Sequence, residues 1–138
     1  MKVVIAGAGF GGLKLARLLN NKPGFEVILL DRFNYHQFQP LFYQVATAGL
    51  DASNISFPLR KVFQKSKNVR IRLAELKEVR PQENKIITSE EEISYDVLVL
   101  ATGADTNFFG ILKVILIHRI DVSSFVGIFF RHYDVGRV

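Results

Sequence analysis

Val3-Val4-Ile5-Ala6-Gly7-Ala8-Gly9-Phe10-Gly11-Gly12 opens the chain, and an apolar run from Phe25 to Leu30 stops on Asp31. The first stretch reads as a strand that turns on glycines into a helix, because Leu13, Ala16 and Leu19 then recur at helical spacing with Lys14, Arg17 and Asn20 on the polar side. The glycine spacing by itself is a weak signal in a chain of this length. Its setting makes it specific. The glycines follow a β-branched strand, they open a helix, and an acid closes the next strand about 20 residues further on. Together these features define a βαβ unit that binds a dinucleotide.

Each position in the unit has a physical task. Gly7 allows a tight turn out of the strand, Gly9 lets a pyrophosphate approach the backbone, and Gly12 lets the helix sit close to the sheet. The diphosphate then meets unpaired N–H groups at the helix start, where the macrodipole amounts to about half a positive charge. Asp31 is placed to accept hydrogen bonds from the adenosine ribose, and its charge disfavours a 2′-phosphate, so FAD or NAD is expected over NADP. Arg32 weakens that exclusion, since an arginine accommodates a 2′-phosphate; it equally suits a pair with Asp31 or with the diphosphate. A secretory signal is not expected, because four glycines interrupt the apolar stretch after Met1-Lys2.

The 138 residues are one domain's worth and carry a net charge of +5. There is no cysteine, which removes disulfides, thiolate metal ligands and thiol nucleophiles together. Arg60, Lys61, Lys65, Lys67, Arg70 and Arg72 lie close together without an acid between them. They read as the solvated face of a helix running into a strand; a single aromatic residue, Phe63, is too little interleaving for base stacking, and nucleic acid is not expected as a partner.

Further along, Arg32 to Ser53 reads as a loop, rich in aromatic and amide side chains and suited to packing against something flat or apolar. Asn54 or Ser56 is placed to cap a helix from Pro58 to Lys65. Val69–Leu73 reads as a strand, and Leu76–Val79, Lys85–Thr88 and Ile93–Tyr95 as a β-meander with a turn at Pro81–Asn84. Tyr95–Leu100 is apolar enough for a parallel strand buried on both faces, and it ends in Ala101-Thr102-Gly103-Ala104. The fold class is α/β: an incomplete Rossmann-like domain with a parallel sheet and a meander.

This order resembles the FAD-binding half of flavoproteins with two dinucleotide-binding domains. Within them it is most similar to the type II NADH dehydrogenases, which are single-subunit NADH:quinone oxidoreductases. The resemblance rests on Gly7 to Leu13, on Asp31-Arg32-Phe33-Asn34-Tyr35-His36-Gln37-Phe38-Gln39-Pro40-Leu41-Phe42-Tyr43-Gln44-Val45-Ala46-Thr47-Ala48-Gly49, and on Ala101-Thr102-Gly103-Ala104-Asp105-Thr106-Asn107-Phe108-Phe109-Gly110. It implies that Gly7, Gly9, Phe10, Gly11 and Gly12 hold the FAD diphosphate and Asp31 the ribose, with Arg32 at the diphosphate or the adenine edge. It also implies that Pro40 and Leu41 line the flavin side, that Leu76 offers backbone to the adenine, and that Ala101, Thr102 and Gly103 close the cofactor from another strand end. Disulfide reductases of the same superfamily need a cysteine pair after Asp31, and none is present here.

In such enzymes hydride passes from NADH to the flavin and electrons leave to a quinone, so no acid, base or nucleophile is required of this segment. His36 reads as a packed or capping residue ahead of a proton donor. The resemblance ends at Gly110. Residues 111 to 138 are expected to be an atypical, frameshifted or otherwise non-native tail. The charge-free run Val122–Phe130 is far shorter than the ~20 residues of a membrane helix. By resemblance, the NADH domain, a later segment completing the FAD fold, the quinone site and the membrane-binding helices are missing. The chain alone is expected to be inactive, with an open sheet edge to which the apolar tail adheres. The parent is expected in the cytoplasm or peripherally on the cytoplasmic face of the inner membrane. The alternatives are a stand-alone FAD- or NAD-binding module without catalysis, and another FAD-dependent NAD(P)H oxidoreductase such as a ferredoxin or rubredoxin reductase.

Overall fold

A computed structural model describes residues 1–103 and the backbone pair Phe129–Phe130. The boundary expected at Gly110 lies outside the described residues, as does the expected tail apart from residues 129 and 130.

Strands β1 (Lys2–Ala6), β2 (Glu26–Asp31), β5 (Val69–Leu73) and β9 (Val97–Leu100) form a parallel sheet in the order β9-β1-β2-β5. A two-residue strand β10 (Phe129–Phe130) lies antiparallel beside β9. The central strands are apolar throughout because both faces are covered. Val3, Ile5, Val27, Leu29 and Val99 point to one core, shared with Leu13 and Ala16 of helix α1 (Phe10–Leu19) and with Leu59 and Phe63. Val4, Ala6, Ile28, Leu30 and Leu98 point to a second core, closed by Ile86, Ile93 and Tyr95. Completely buried aliphatic side chains such as Ile5 and Leu29 contribute about 1.5–3 kcal/mol each. They place the sheet in the middle of three layers.

The outer layer on the second face is the expected meander, β6 (Leu76–Arg80), β7 (Lys85–Thr88) and β8 (Glu92–Ser94), in antiparallel order. Its turn passes through Asn84 at φ +51°, which an asparagine tolerates better than most residues. The last parallel strand starts at Val97, two residues later than expected. The Tyr95 N–H is taken by the Asn84 carbonyl, and Asp96 meets β1 at Lys2, its N–H donating to the Lys2 carbonyl, so the paired register begins with Val97 opposite Val3.

The region after Asp31 departs furthest from expectation. The stretch expected as a loop contains β3 (Tyr35–Gln37), a 3₁₀ turn over Gln39–Leu41 and helix α2 (Phe42–Ala46). Instead of beginning a helix, Ser56–Pro58 is strand β4, which pairs antiparallel with β3. Helix α3 is only Leu59–Val62, with no side-chain cap. The hydroxyl and amide at positions 56 and 54 therefore do not cap it. Asp51 does the capping locally, accepting from the Ser53 N–H at 2.8 Å at the start of a 3₁₀ turn. Within the basic stretch, Arg70 pairs with Glu26 of β2 at 3.4 Å and Arg72 with Glu91, in the turn before β8, at 3.1 Å, so part of the positive charge is neutralised.

Candidate functional site

Strand order fixes where a ligand can sit. β1 has β2 on one side and β9 on the other, so the chain reverses its direction of winding at β1, and a crevice opens beyond the carboxyl ends of β1 and β9. A cleft of about 310 Å³ lies there. It is lined by Gly7, Gly9, Phe10, Asp31, Arg32, Leu76, Ala101, Thr102 and Gly103 among the residues singled out from sequence. Gly11, Gly12, Pro40 and Leu41 do not line it. Gly11 and Gly12 are in the first turn of α1 behind the cleft wall, and Pro40 and Leu41 lie in the 3₁₀ turn whose first residue, Gln39, does reach the wall.

The glycine turn is shaped by contact on one side and open space on the other. Gly7 has φ +106°, and a Cβ there would collide with the carbonyl of Ala101. A Cβ on Gly12 would collide with the Gly7 carbonyl oxygen and lie 3.2 Å from Ile5, so this glycine packs the helix onto the turn as well as onto the sheet. Gly9 differs. Nothing lies within 4 Å of a Cβ built there, and the position borders the cleft. The first helical bond is from the Leu13 N–H to the Gly9 carbonyl at 2.9 Å, which leaves the N–H groups before it without an intrahelical partner. Open space in front of unpaired donors at the start of a ten-residue helix fits an anionic diphosphate.

Asp31 ends β2 beside this turn and is committed on both oxygens. Oδ2 accepts from the Ala8 N–H at 2.6 Å and Oδ1 from the Phe33 N–H at 2.8 Å. Each carboxylate oxygen keeps lone-pair capacity for a further donor, so these bonds orient the carboxylate and leave a ribose diol acceptable. Among the described residues Arg32 makes no ion pair with Asp31. Its guanidinium lies 5.5 Å over the Phe33 ring, which stacks on Tyr35 at 5.4 Å.

Several lining residues escaped the sequence reading. Phe33, Tyr35, Gln37 and Gln39 supply the wall on the β3 side, and Phe33 and Tyr35 are exposed aromatics there. Ala74 and Glu75 arrive because β5 pairs with β2 in the register Asp31↔Leu73, and the Ala74 N–H then donates to the Asp31 carbonyl at 3.0 Å. The signal was present in Leu76, whose placement beside the cleft implies its preceding neighbours. The Lys77 ammonium hydrogen-bonded to Glu75 holds the Glu75 carboxyl below its ordinary value, and Arg32 adds a smaller effect of the same sign. His36, read from sequence as a packed or capping residue, is buried and bonded to the Ala8 carbonyl.

A parallel sheet with a glycine turn, a strand-end carboxylate and a cleft at its switch point defines a Rossmann-like dinucleotide-binding fold. The comparisons narrow the class. Residues 1–129 match the pyridine nucleotide-disulphide oxidoreductases, and the chain belongs to that family. It is 35% identical to a type II NADH:quinone oxidoreductase of Mycobacterium tuberculosis over 79% of its length and 24% of the relative's. It is 34% identical to a type II NADH:quinone oxidoreductase of Haemophilus influenzae over 78% of its length and 28% of the relative's. Among solved structures it is similar to NDH2 of Plasmodium falciparum in complex with NADH, with a TM-score of 0.73 and 26% identity over 83% of this chain and 24% of that one. It is also similar to the sulfide:quinone oxidoreductase of Aquifex aeolicus, with a TM-score of 0.71 and 30% identity over 78% and 25% of the two chains. The chain thus spans about a quarter of the length of these relatives. It contributes no thiol to the chemistry in the family's name.

Proposed function

We propose that these residues form the FAD-holding portion of an NADH:quinone oxidoreductase. The observation that carries the reading is the unfilled space over Gly9, bounded by unpaired helix donors, by the oriented Asp31 carboxylate and by the Ala101–Gly103 turn. Gly7, Gly9 and Phe10 border the diphosphate cradle, Gly11 and Gly12 support it from the first turn of α1, Asp31 receives the ribose, and Arg32 lies at the adenine or diphosphate edge. Leu76 faces the adenine with its backbone, Pro40 and Leu41 approach the flavin side, and Ala101, Thr102 and Gly103 close the cleft from β9. Bound flavin supplies hydride acceptance and electron release; the chain's own part is to bind, orient and exclude water. Relatives named for NADH and quinone support the same substrates for the whole protein; its proposed location is the cytoplasm or, peripherally, the cytoplasmic face of the inner membrane, where a lipid-soluble quinone is met. The domain is proposed to occupy residues 1–110.

The test is the visible spectrum of the 138-residue chain after FAD is added and excess removed by gel filtration. Retained flavin with shifted bands supports the reading, as does the absence of NADH-dependent quinone reduction by the same sample. Complete loss of flavin from a folded chain, with NAD equally unbound, means that the site needs a segment these residues lack; flavin retained equally by Gly9→Val removes the reading.

A further inference from the structure

The Gly7-Ala8-Gly9 turn is flanked by two residues without side chains, so the peptide groups on either side of Ala8 can rotate at little steric cost. In the structure both are held from outside the turn. The Ala8 N–H donates to Asp31, and the Ala8 carbonyl lies 2.9 Å from His36 Nδ1. A carbonyl oxygen only accepts, so Nδ1 carries the proton. His36 stands on β3, outside the main sheet; the β3–β4 pairing continues at both ends, from the Leu59 N–H to the Asn34 carbonyl and from the Phe38 N–H to that of Ile55, and the buried Leu59 and Ile55 anchor it. The ring is 8% exposed and meets Phe10, the first residue of α1, edge-on at 5.1 Å. Ala8 is 2% exposed, so its carbonyl has little access to water if the imidazole is removed.

Resting on the cofactor reading above, we propose that His36 is a positioning residue of the diphosphate turn: its bond to the Ala8 carbonyl fixes the Ala8–Gly9 peptide plane. Because that peptide is planar and trans, fixing the carbonyl direction fixes the Gly9 N–H in the opposite direction. The β3–β4 hairpin thereby sets the turn before any cofactor arrives, and the ordering is not charged against binding.

The test uses the isotope-labelled 138-residue chain with His36→Asn, which keeps an N–H donor at the δ position, and His36→Leu, which has none. A long-range proton–nitrogen spectrum of the unaltered chain at neutral pH should show a proton on Nδ1; a ring protonated only on Nε2 overturns the proposal without reference to FAD. The Gly9 amide order parameter should stay near the rigid ~0.85 in the unaltered chain and in His36→Asn, and fall below about 0.6 in His36→Leu. FAD affinity should drop about tenfold in His36→Leu, about 1.4 kcal/mol, and recover to within about threefold in His36→Asn. Equal Gly9 order in all three chains overturns the proposal even where FAD binds. Loosening in His36→Leu alone, with no chain binding FAD, upholds the pinning and shows that FAD binding needs more than these residues. If His36→Leu does not fold, the tautomer and the rigidity of His36→Asn decide.

Discussion

Gly7 and Ala101 belong to turns that leave neighbouring parallel strands, and they touch backbone to backbone: a Cβ on Gly7 would stand 2.6 Å from the Ala101 carbonyl carbon and 3.0 Å from Thr102 Cα. Gly7→Ala meets this contact and a φ of +106° together. We expect it to lower stability by about 3 kcal/mol or more in urea unfolding. A loss below about 1 kcal/mol would show that the two turns separate easily.

Gly9→Val is expected to do the reverse. The position has φ −66°, which any residue adopts, and free space beside it. Stability should change by less than about 1 kcal/mol while FAD retention is lost, since the side chain fills the cradle. Flavin retained at the level of the unaltered chain would move the diphosphate away from Gly9.

Asp31→Asn keeps the shape and removes the charge. The new amide can accept from only one of the two N–H groups now bound at 2.6 and 2.8 Å, and leaves the other donor facing an NH₂. A loss of about 1–3 kcal/mol in stability is expected, together with weaker FAD binding. Titration calorimetry against FAD, paired with urea unfolding, separates the two effects; unchanged values in both would remove Asp31 from the site.

Asn68 presents a further check, on the fold alone. Its Nδ2 donates to the carbonyls of Leu19 at 2.9 Å and Phe25 at 3.1 Å, and its Oδ1 accepts from the Asn21 N–H at 2.6 Å. Asn68→Ala should cost about 2 kcal/mol. Asn68→Asp should cost more, because a carboxylate would face carbonyl oxygens. Thermal unfolding ranks them, and an aspartate variant as stable as the parent would contradict these bonds.

Glu75 gives a pH-dependent signature. Its hydrogen bond from Lys77 comes first and the Lys77 charge second in lowering its carboxyl below the ordinary value. A depressed folded value means the pair's contribution is complete above the unfolded value and is lost as pH falls through the folded one. Carboxyl carbon shifts should place the Glu75 midpoint below that of a free glutamate, and Lys77→Ala should bring it back up. The pair is solvent-exposed, so high salt should weaken the shift.

How much could be read in advance follows from how local each signal was. β1, α1, β2, β5 and the meander are visible in the chain because each has its own periodicity, and the β5 and β7 boundaries fall where the alternation places them. The segment from Phe33 to Val62 was not legible in the same way. β3 and β4 are three residues each, and their stability comes from pairing with each other, in the register His36↔Phe57, across a separation no short window spans. Pro58 precedes a single helical turn because the strand before it uses the residues that would have capped a longer helix.

The sequence by itself determined the nucleotide chemistry: glycines where a turn must be tight, an acid where a strand ends, and no thiol. These are properties of residue type and spacing, and they follow from backbone freedom and charge without knowledge of neighbours. Only the tertiary structure decided that Ala101 closes on Gly7, that Glu75 comes to the cleft, and that Ala8 is gripped by Asp31 and His36. Those contacts depend on which strand lies beside which, and parallel pairing between distant segments leaves no trace in local periodicity.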